Sequence, residues 1–120
     1  MPIAFRRLRH VFVAVALACV PLLYAQDIVS AQPSTAVGLT RNGIAQVDIA
    51  APSAAGVSHN VYQQFNVPAN GVIFNNSARI VSTQLAGQIT GNPALQHSAP
   101  ARTILNEVRS ALPSQLVGYA

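Results

Sequence analysis

Few residue types in this chain are suited to nucleophilic or acid–base chemistry, and their spacing does not assemble a site. Ser58 directly precedes His59, and a catalytic triad would need a carboxylate from Asp48 or Glu107 to orient the imidazole. Neighbouring positions in a chain do not by themselves bring a serine and a histidine together in space. The sequence therefore predicts no catalytic residues and no enzymatic activity.

Metal binding is not predicted either. His59 and His97 have no further cysteine, histidine or carboxylate at the spacing of a metal site. A polysaccharide-lyase-like enzyme would gather several acids and basic residues around a bound metal, whereas this chain has three acids and no lysine. We expect neither a metal nor any other cofactor.

The positive net charge of the chain comes mostly from its N-terminus. The formal net charge is +4, and only 8 % of the residues are charged, against an ordinary share of about 25 %. Three of the seven arginines lie at positions 6–9, which leaves four arginines against three acids in the remainder. Nucleic-acid recognition needs a clustered basic face, so the sequence predicts no nucleic-acid partner.

The N-terminus predicts a secretory signal peptide, helical over its apolar part, at residues 1–25. A positive segment at residues 6–10 (RRLRH) precedes an apolar run at residues 11–20. Ala25 stands at the usual distance from that run and is the predicted cleavage residue. Ala31 is the alternative, because the sequence before it fits the small-x-small preference of signal peptidases better.

Two other interpretations of this N-terminus fit less well. An uncleaved membrane anchor needs roughly twenty apolar residues, and this run offers about fifteen. A lipid-bearing cysteine needs a lipobox, but in the sequence before Cys19 the leucine, Leu17, stands one place too late. We expect Cys19 to leave with the signal peptide, so that the mature chain has no cysteine and no disulfide.

The mature region is organised around residues 59–95, which have almost no charge, many amide side chains, and short β-branched runs separated by Gly or Pro. This pattern predicts short strands joined by turns, whereas residues 26–38 predict a polar leader without core elements. Alternation within the strand at 61–67 places Phe65 on one face and Tyr62 on the other. Strands are predicted at residues 44–50, 61–67, 72–74, 79–85, 88–90 and 116–119, and a strand or short helix at 101–108.

These strands indicate an all-β fold, since they are short and recur about every ten residues without long helices. A sandwich favours longer alternating strands, while very short strands with Asn, Gly and Pro corners favour a β-solenoid. The pattern alone leaves both open. In a solenoid the predicted corner residues Asn66, Asn75 and Asn76 would hydrogen-bond to exposed main chain.

Several short sequence motifs occur in the same order as in one known family. They occur at residues 59–60 (HN), 65–67 (FNV), 74–77 (FNNS), 92–95 (NPAL) and 104–108 (ILNEV). Together they closely resemble the N-terminal two-partner-secretion domain, or haemagglutination activity domain, of filamentous haemagglutinins, haemolysins and contact-dependent inhibition proteins of Gram-negative bacteria. The resemblance covers about residues 39–120.

The resemblance implies a right-handed parallel β-helix with an N-terminal cap and some strands outside the coil. It also implies export by the Sec machinery to the periplasm and recognition, in non-native form, by an outer-membrane β-barrel transporter with POTRA modules. The protein would then reach the cell surface or the medium. On this interpretation the chain is the secretion-targeting module of a large adhesin-like or haemagglutinin-like protein.

The candidate transporter-recognition motif is formed by Asn92, Pro93, Ala94 and Leu95, and an ordinary turn is the alternative. The family tetrapeptide is most often Asn-Pro-Asn-Leu, so Ala94 departs from it. Since alanine lacks an amide for a local turn bond, we expect a looser turn. Secretion domains of this family are longer than this chain, which predicts that residues 39–120 are an incomplete β-helix from a fragment or truncated copy.

Two other functions remain as alternatives. A small secreted adhesin would bind carbohydrate through Tyr62 or Phe74, and it would need an intact coil. A polysaccharide-lyase-like enzyme on the same fold is disfavoured by the scarcity of acids and the lack of lysine.

Overall fold

A computed structural model describes residues 27–120, and the regular elements of this part are strands apart from one 3₁₀ helix. The predicted signal peptide and its cleavage residue Ala25 lie outside the described residues. The strands are β1 (Ile28–Ser30), β2 (Ala36–Leu39), β3 (Ala45–Asp48), β4 (Val57–Phe65), β5 (Val72–Asn75), β6 (Val81–Thr83), β7 (Gly87–Ile89) and β8 (Thr103–Val108), with the 3₁₀ helix at Pro93–Leu95.

Two parallel strand pairs define the coil. β3 pairs with β5, with Ala45 opposite Val72, and β4 pairs with β8, with Val57 opposite Thr103. Parallel pairs need a crossover between their strands, and here short strands and turns supply it in place of an α-helix. The prediction of an all-β β-helix is confirmed, and the sandwich alternative is wrong, because a sandwich would be built from antiparallel sheets.

The first two strands pair antiparallel with the coil and occupy the sheet edges opposite β8 and β5. β1 pairs with β4 and β2 pairs with β3, so the two three-stranded sheets have the orders β1-β4-β8 and β2-β3-β5. The segment at residues 26–38, expected to be a leader without core elements, therefore contains β1 and most of β2. Short strands between polar turns carry little periodicity of their own, and their pairing partners decide their conformation.

The main core lies between the two three-stranded sheets. Its buried members include Val47, Ile49, Tyr62 and Val72, each fully shielded from solvent. The predicted separation of Tyr62 from Phe65 is wrong, because both belong to this core and their rings lie 4.9 Å apart.

A β-bulge explains why Tyr62 and Phe65 share a face. Val29 stands opposite Gln64 and Ser30 stands opposite Tyr62, which leaves Gln63 as an extra residue in β4. An extra residue delays the alternation by one position. The inward-facing position after Tyr62 is therefore Phe65 and not Gln64. Beyond the bulge, Phe65 therefore points into the core.

Outside the coil, β6 and β7 form an antiparallel hairpin. Ile89 of this hairpin packs with Ile44 and Ile73 in a second, smaller core cluster. Within residues 101–108, for which a strand and a short helix were both open, the structure has the strand β8 at Thr103–Val108. The strand predicted at 116–119 is reduced to a single parallel bridge between Leu116 and Val67.

Within residues 27–120, no helix is long and apolar enough to cross a membrane.

Candidate functional site

The candidate recognition motif, Asn92, Pro93, Ala94 and Leu95, forms a compact turn after β7. Pro93 begins the 3₁₀ helix, a position at which a main-chain N–H would have no partner within the helix. The N–H of Asn92 donates to the carbonyl of Ser77 over 2.6 Å, and the N–H of Leu95 donates to the carbonyl of Asn92 over 3.1 Å. The turn is thus closed on itself and anchored to the loop after β5.

The side chain of Asn92 points into the protein and bonds to three main-chain groups. Its Nδ2 donates to the carbonyl of Ile49 over 2.8 Å and to that of Asn75 over 3.0 Å. Its Oδ1 accepts the N–H of Ala94 over 3.0 Å. Asn92 is only 1 % exposed, so one buried amide joins the ends of β3 and β5 to the turn.

The turn presents only its middle residues to solvent. Pro93 and Ala94 are exposed, whereas Leu95 is 1 % exposed. The expected loosening at Ala94 assumes that a side-chain amide closes the turn. In the structure the main-chain N–H of Ala94 makes the turn bond to Asn92, and alanine leaves that bond in place.

Asn75, a predicted corner residue, is the last residue of β5 and is buried. Its Nδ2 donates to Oδ1 of Asp48 over 3.1 Å and to the carbonyl of Thr90 over 2.9 Å. Its Oδ1 accepts the N–H of Ser77 over 3.3 Å. Asn75 therefore ties the end of β3 to the segment that leads into the recognition turn.

The other two predicted corner residues, Asn76 and Asn66, follow directly after β5 and β4. The amide of Asn76 pairs in both directions with the main chain of Ala101, at 2.9 Å to its carbonyl and 2.7 Å from its N–H. Oδ1 of Asn66 accepts the N–H of Gln115 over 2.9 Å. Both side chains thus take the place of a strand neighbour where the chain leaves the sheet.

Asn60 has a similar role, which was not predicted from the sequence. It is fully buried in β4, and its Oδ1 accepts from Oγ1 of Thr35 over 2.7 Å and from the N–H of Ala50 over 2.9 Å. The available signal was its position, since Asn60 alternates with Ser58 and Tyr62 on one face of a strand. A polar residue on an inward face needs partners, and these lie in segments distant in sequence.

Ser58 and His59 do not form a catalytic pair. Oγ of Ser58 is buried and donates to the carbonyl of Ala50 over 2.6 Å. His59 is exposed on the opposite face of β4, as alternation in a strand requires. Its Nε2 lies 3.0 Å from Oε1 of Glu107 on the parallel neighbour β8.

Glu107 is the centre of a small surface network. Nε of Arg109 donates to its Oε2 over 2.6 Å, and His59 contacts its other oxygen. The hydrogen bond from Arg109, and then that from His59, holds the pKa of the Glu107 carboxyl below its usual value. All three side chains are exposed, so the network links two strands at the surface and encloses no reaction site.

The two aromatic residues proposed for carbohydrate binding differ in their exposure. Tyr62 is fully buried, its hydroxyl bonds to Oδ1 of Asn106 over 3.1 Å, and burial raises its pKa. Phe74 stacks on Phe65 with ring centroids 6.0 Å apart. Tyr62 is therefore closed to a sugar at the surface, whereas Phe74 is half-buried. Residues 27–120 also hold no group of three or more potential metal ligands from His, Cys, Asp and Glu.

Comparison with known proteins places this geometry in a family. The family profile of the TPS secretion domain matches residues 25–120. The crystal structure of a filamentous hemagglutinin secretion domain is similar with a TM-score of 0.70 and 42 % identity, and the match covers 78 % of this chain and 30 % of that one.

Several large proteins carry a similar segment. The tRNA nuclease CdiA-2 of Burkholderia pseudomallei is 46 % identical over 114 residues, which is 92 % of this chain and 4 % of that protein. The hemolysin of Serratia marcescens is 43 % identical over 107 residues, which is 88 % of this chain and 7 % of that protein. The chain thus spans only a small part of the length of these relatives, whose names describe the whole proteins.

Proposed function

The chain belongs to the TPS secretion domain family, and from this premise we propose that it is the module by which an outer-membrane β-barrel transporter selects an exported protein. Its role is targeting and not catalysis. The nuclease and hemolysin names of the relatives belong to proteins of which this segment is a few per cent. The recognition element is the segment formed by Asn92, Pro93, Ala94 and Leu95.

The burial of two motif residues supports a proposal about when the transporter recognises this segment. Asn92 and Leu95, the first and last residues of the motif, are each only 1 % exposed in the folded domain. A transporter that contacts these side chains must therefore meet the chain before it folds. Folding then withdraws the side chain of Asn92, because its amide turns inward to the carbonyls of Ile49 and Asn75.

The composition of the chain suits this order of events. A segment threaded through a pore before folding should carry little charge and no disulfide, and only 8 % of the residues of the whole chain are charged. The single Cys19 belongs to the proposed signal peptide. We place the route through the Sec machinery and the periplasm, where POTRA modules of the transporter meet the non-native chain.

The fold favours Ala25 over Ala31 as the cleavage residue. Cleavage after Ala31 would remove β1 and with it Ile28, which is 2 % exposed within the main core. The N–H of Ala31 also donates to the carbonyl of Val61 over 2.8 Å and continues the pairing with β4. Cleavage after Ala25 leaves this strand in the mature chain.

The proposal is tested by expressing the chain with and without its cognate transporter in a Gram-negative host. We expect the chain in the medium only when the transporter is present, and in the periplasm without it. Equal amounts in the medium under both conditions would remove the targeting role. A lysis marker measured in the same samples excludes leakage.

A further inference from the structure

Two Asn-Gly pairs lie in the tight turns that precede β3 and β5. They are Asn42-Gly43 and Asn70-Gly71. In each turn the N–H of the glycine donates to the carbonyl of the residue three places before it, over 3.0 Å to Thr40 in the first turn and over 2.9 Å to Pro68 in the second. Both glycines have positive φ, at 79° and 88°, so the two turns have a similar main-chain geometry.

An asparagine that precedes a glycine can lose its side-chain amide without an enzyme. The main-chain nitrogen of the glycine attacks Cγ of the asparagine, and the new C–N bond closes a five-membered succinimide. The bond from Cγ to Nδ2 breaks, and Nδ2 leaves as ammonia with the proton that the glycine N–H gives up. Water then opens the ring at either carbonyl and leaves aspartate or isoaspartate. Glycine favours the attack because it has no Cβ and its main chain rotates freely.

The two turns differ in what covers the attacking nitrogen. Gly43 is exposed, and a Cβ built on it would meet no atom within 4 Å. Gly71 is buried, and a Cβ built on it would lie 2.7 Å from the main-chain oxygen of Tyr119. A Cβ built on Gly118 would in turn lie 2.8 Å from the nitrogen of Gly71. The segment at residues 117–119 therefore covers the second turn and leaves the first one open.

Main-chain hydrogen bonds hold this covering segment in place. The N–H of Val72 donates to the carbonyl of Tyr119 over 2.8 Å, and the N–H of Val117 donates to the carbonyl of Val67 over 2.9 Å. Ring closure requires the peptide group that carries the attacking nitrogen to rotate, and the close contacts leave it no room to do so. The reaction at Asn70 therefore requires a local opening that releases the segment.

The side chain of Asn42 is hydrogen-bonded, but only at the surface. Its Nδ2 donates to the carbonyl of Leu85 over 2.8 Å, and its Oδ1 accepts from Oγ1 of Thr40 over 2.7 Å. Because both bonds are exposed, water can replace them at little cost, and they slow the attack less than burial of the glycine does. The side chain of Asn70 makes a long contact of 3.5 Å with the carbonyl of Gly43, so its protection comes from the covering segment.

We propose that Asn42 is a site of spontaneous deamidation in the folded chain and that the fold protects Asn70 from the same reaction. The product affects the β6–β7 hairpin, because Leu85 lies in the turn between these two strands. A carboxylate at position 42 cannot donate to the carbonyl of Leu85, so the hydrogen bond that links this hairpin to the β2–β3 turn is lost. The modification is independent of the candidate recognition motif and of the proposed secretion role.

The test incubates the purified folded chain at mildly alkaline pH and follows both asparagines by peptide mass spectrometry. Chymotrypsin cleaves after leucine and aromatic residues, so it releases Asn42 within residues 40–62 and Asn70 within residues 66–74. We expect deamidation at Asn42 to be faster by about tenfold or more, the factor that protection by about 1.4 kcal/mol gives. In denaturant the two sites should react at similar rates, because the covering segment is then released.

Two variants test the cause of the protection and the consequence of the reaction. Gly118→Ala places a Cβ against the carbonyl of Pro68 and pushes the segment off the turn. The rate at Asn70 should then approach that at Asn42, which serves as the internal reference. Asn42→Asp copies the product and should speed hydrogen exchange in β6 and β7 about threefold, as loss of one surface hydrogen bond would. Asn70→Asp is the matched control and should leave this exchange unchanged.

Three results would overturn the proposal. Equal rates at Asn42 and Asn70 in the folded parent chain would show that the segment at residues 117–119 gives no protection. An unchanged rate at Asn70 in Gly118→Ala would show that the protection has another source. Equal hydrogen exchange of the β6–β7 hairpin in Asn42→Asp and Asn70→Asp would show that the hairpin does not depend on the Asn42 amide.

Discussion

The side-chain amide of Asn92 donates to the main-chain carbonyl of Asn75 over 3.0 Å, while the side chain of Asn75 donates to Asp48 and to the carbonyl of Thr90. Two buried asparagines thus connect the parallel strands β3 and β5 to the turn that follows β7. Because amides both donate and accept, each can replace a missing strand neighbour at the end of a sheet. The motif is therefore part of the folded coil as well as a candidate signal.

Replacing Asn92 by alanine should destabilise the domain by about 2–4 kcal/mol, since the carbonyls of Ile49 and Asn75 and the N–H of Ala94 would lose a buried partner. Asn92→Asp should be similarly harmful, because it keeps the acceptor and loses both donations. Denaturant unfolding monitored by circular dichroism measures the change. Asn42→Ala is the control, since Asn42 is exposed, and should cost less than about 1 kcal/mol. Equal losses at the two positions would contradict the role of Asn92 in the fold.

Gly91→Ala should also destabilise the domain, by more than about 2 kcal/mol. A Cβ on Gly91 would overlap the main-chain carbonyl of Ala78, and that backbone cannot move without disturbing the bond from Asn92 to Ser77. Gly38→Ala is the matched control, because open space surrounds its Cβ position. The midpoints of thermal unfolding should separate the two variants clearly, and coinciding midpoints would contradict the close approach at Gly91.

Ile28→Ala should cost about 2–4 kcal/mol, the range for truncating a buried aliphatic side chain. Ile28 is 2 % exposed, and the control Leu39→Ala removes a side chain that is 75 % exposed.

The intact mass of the secreted protein tests the same strand, β1, independently. We expect a mature chain that begins at Gln26, and a mass that begins at Gln32 would show that β1 is dispensable.

The pKa of Glu107 should be below its usual value, and Arg109→Gln should raise it more than His59→Gln does, because the bond from Arg109 is the larger cause. A carboxyl whose pKa is lowered by folding contributes stability above its unfolded pKa, and that contribution is lost as the pH falls through the folded pKa. The effect on stability should be small, since the network is exposed. An NMR titration of the Glu107 carboxyl carbon measures both shifts, and a larger rise in the histidine variant would contradict the assignment.

Much of the coil was predictable, because turns at Gly43 and Gly71 divide short β-branched runs at visible positions. Both glycines have positive φ, at 79° and 88°, as Asn-Gly turns require. The features that were predicted wrongly, the bulge in β4 and the strands β1 and β2, depend on pairing with strands distant in sequence. The bulge at Gln63 arises from pairing with β1, and β1 and β2 become strands only against β4 and β3.

The position of the candidate site in the sequence could be predicted, but the hydrogen bonds of its residues could not. The sequence indicated Asn92 through the tetrapeptide at residues 92–95, which resembles a motif of the family. No local pattern shows that the amide of Asn92 reaches the carbonyls of Ile49 and Asn75. The same holds for Asn60, whose partners Thr35 and Ala50 are fixed only by the stacking of strands. Hydrogen bonds between distant segments follow from topology, which short-range periodicity does not encode.

The most direct test compares secretion of Asn92→Ala with that of Val47→Ala in the presence of the transporter. Val47 is fully buried in the main core, whose members do not include residues 92–95. Its truncation to alanine should lower the folding stability by about 2 kcal/mol and leave the sequence of residues 92–95 unchanged. If the transporter reads the unfolded motif, Asn92→Ala should lose most secretion, while Val47→Ala should be secreted as well as the parent chain. Equal secretion of the two variants would contradict recognition through Asn92 and leave it as a residue of the fold alone.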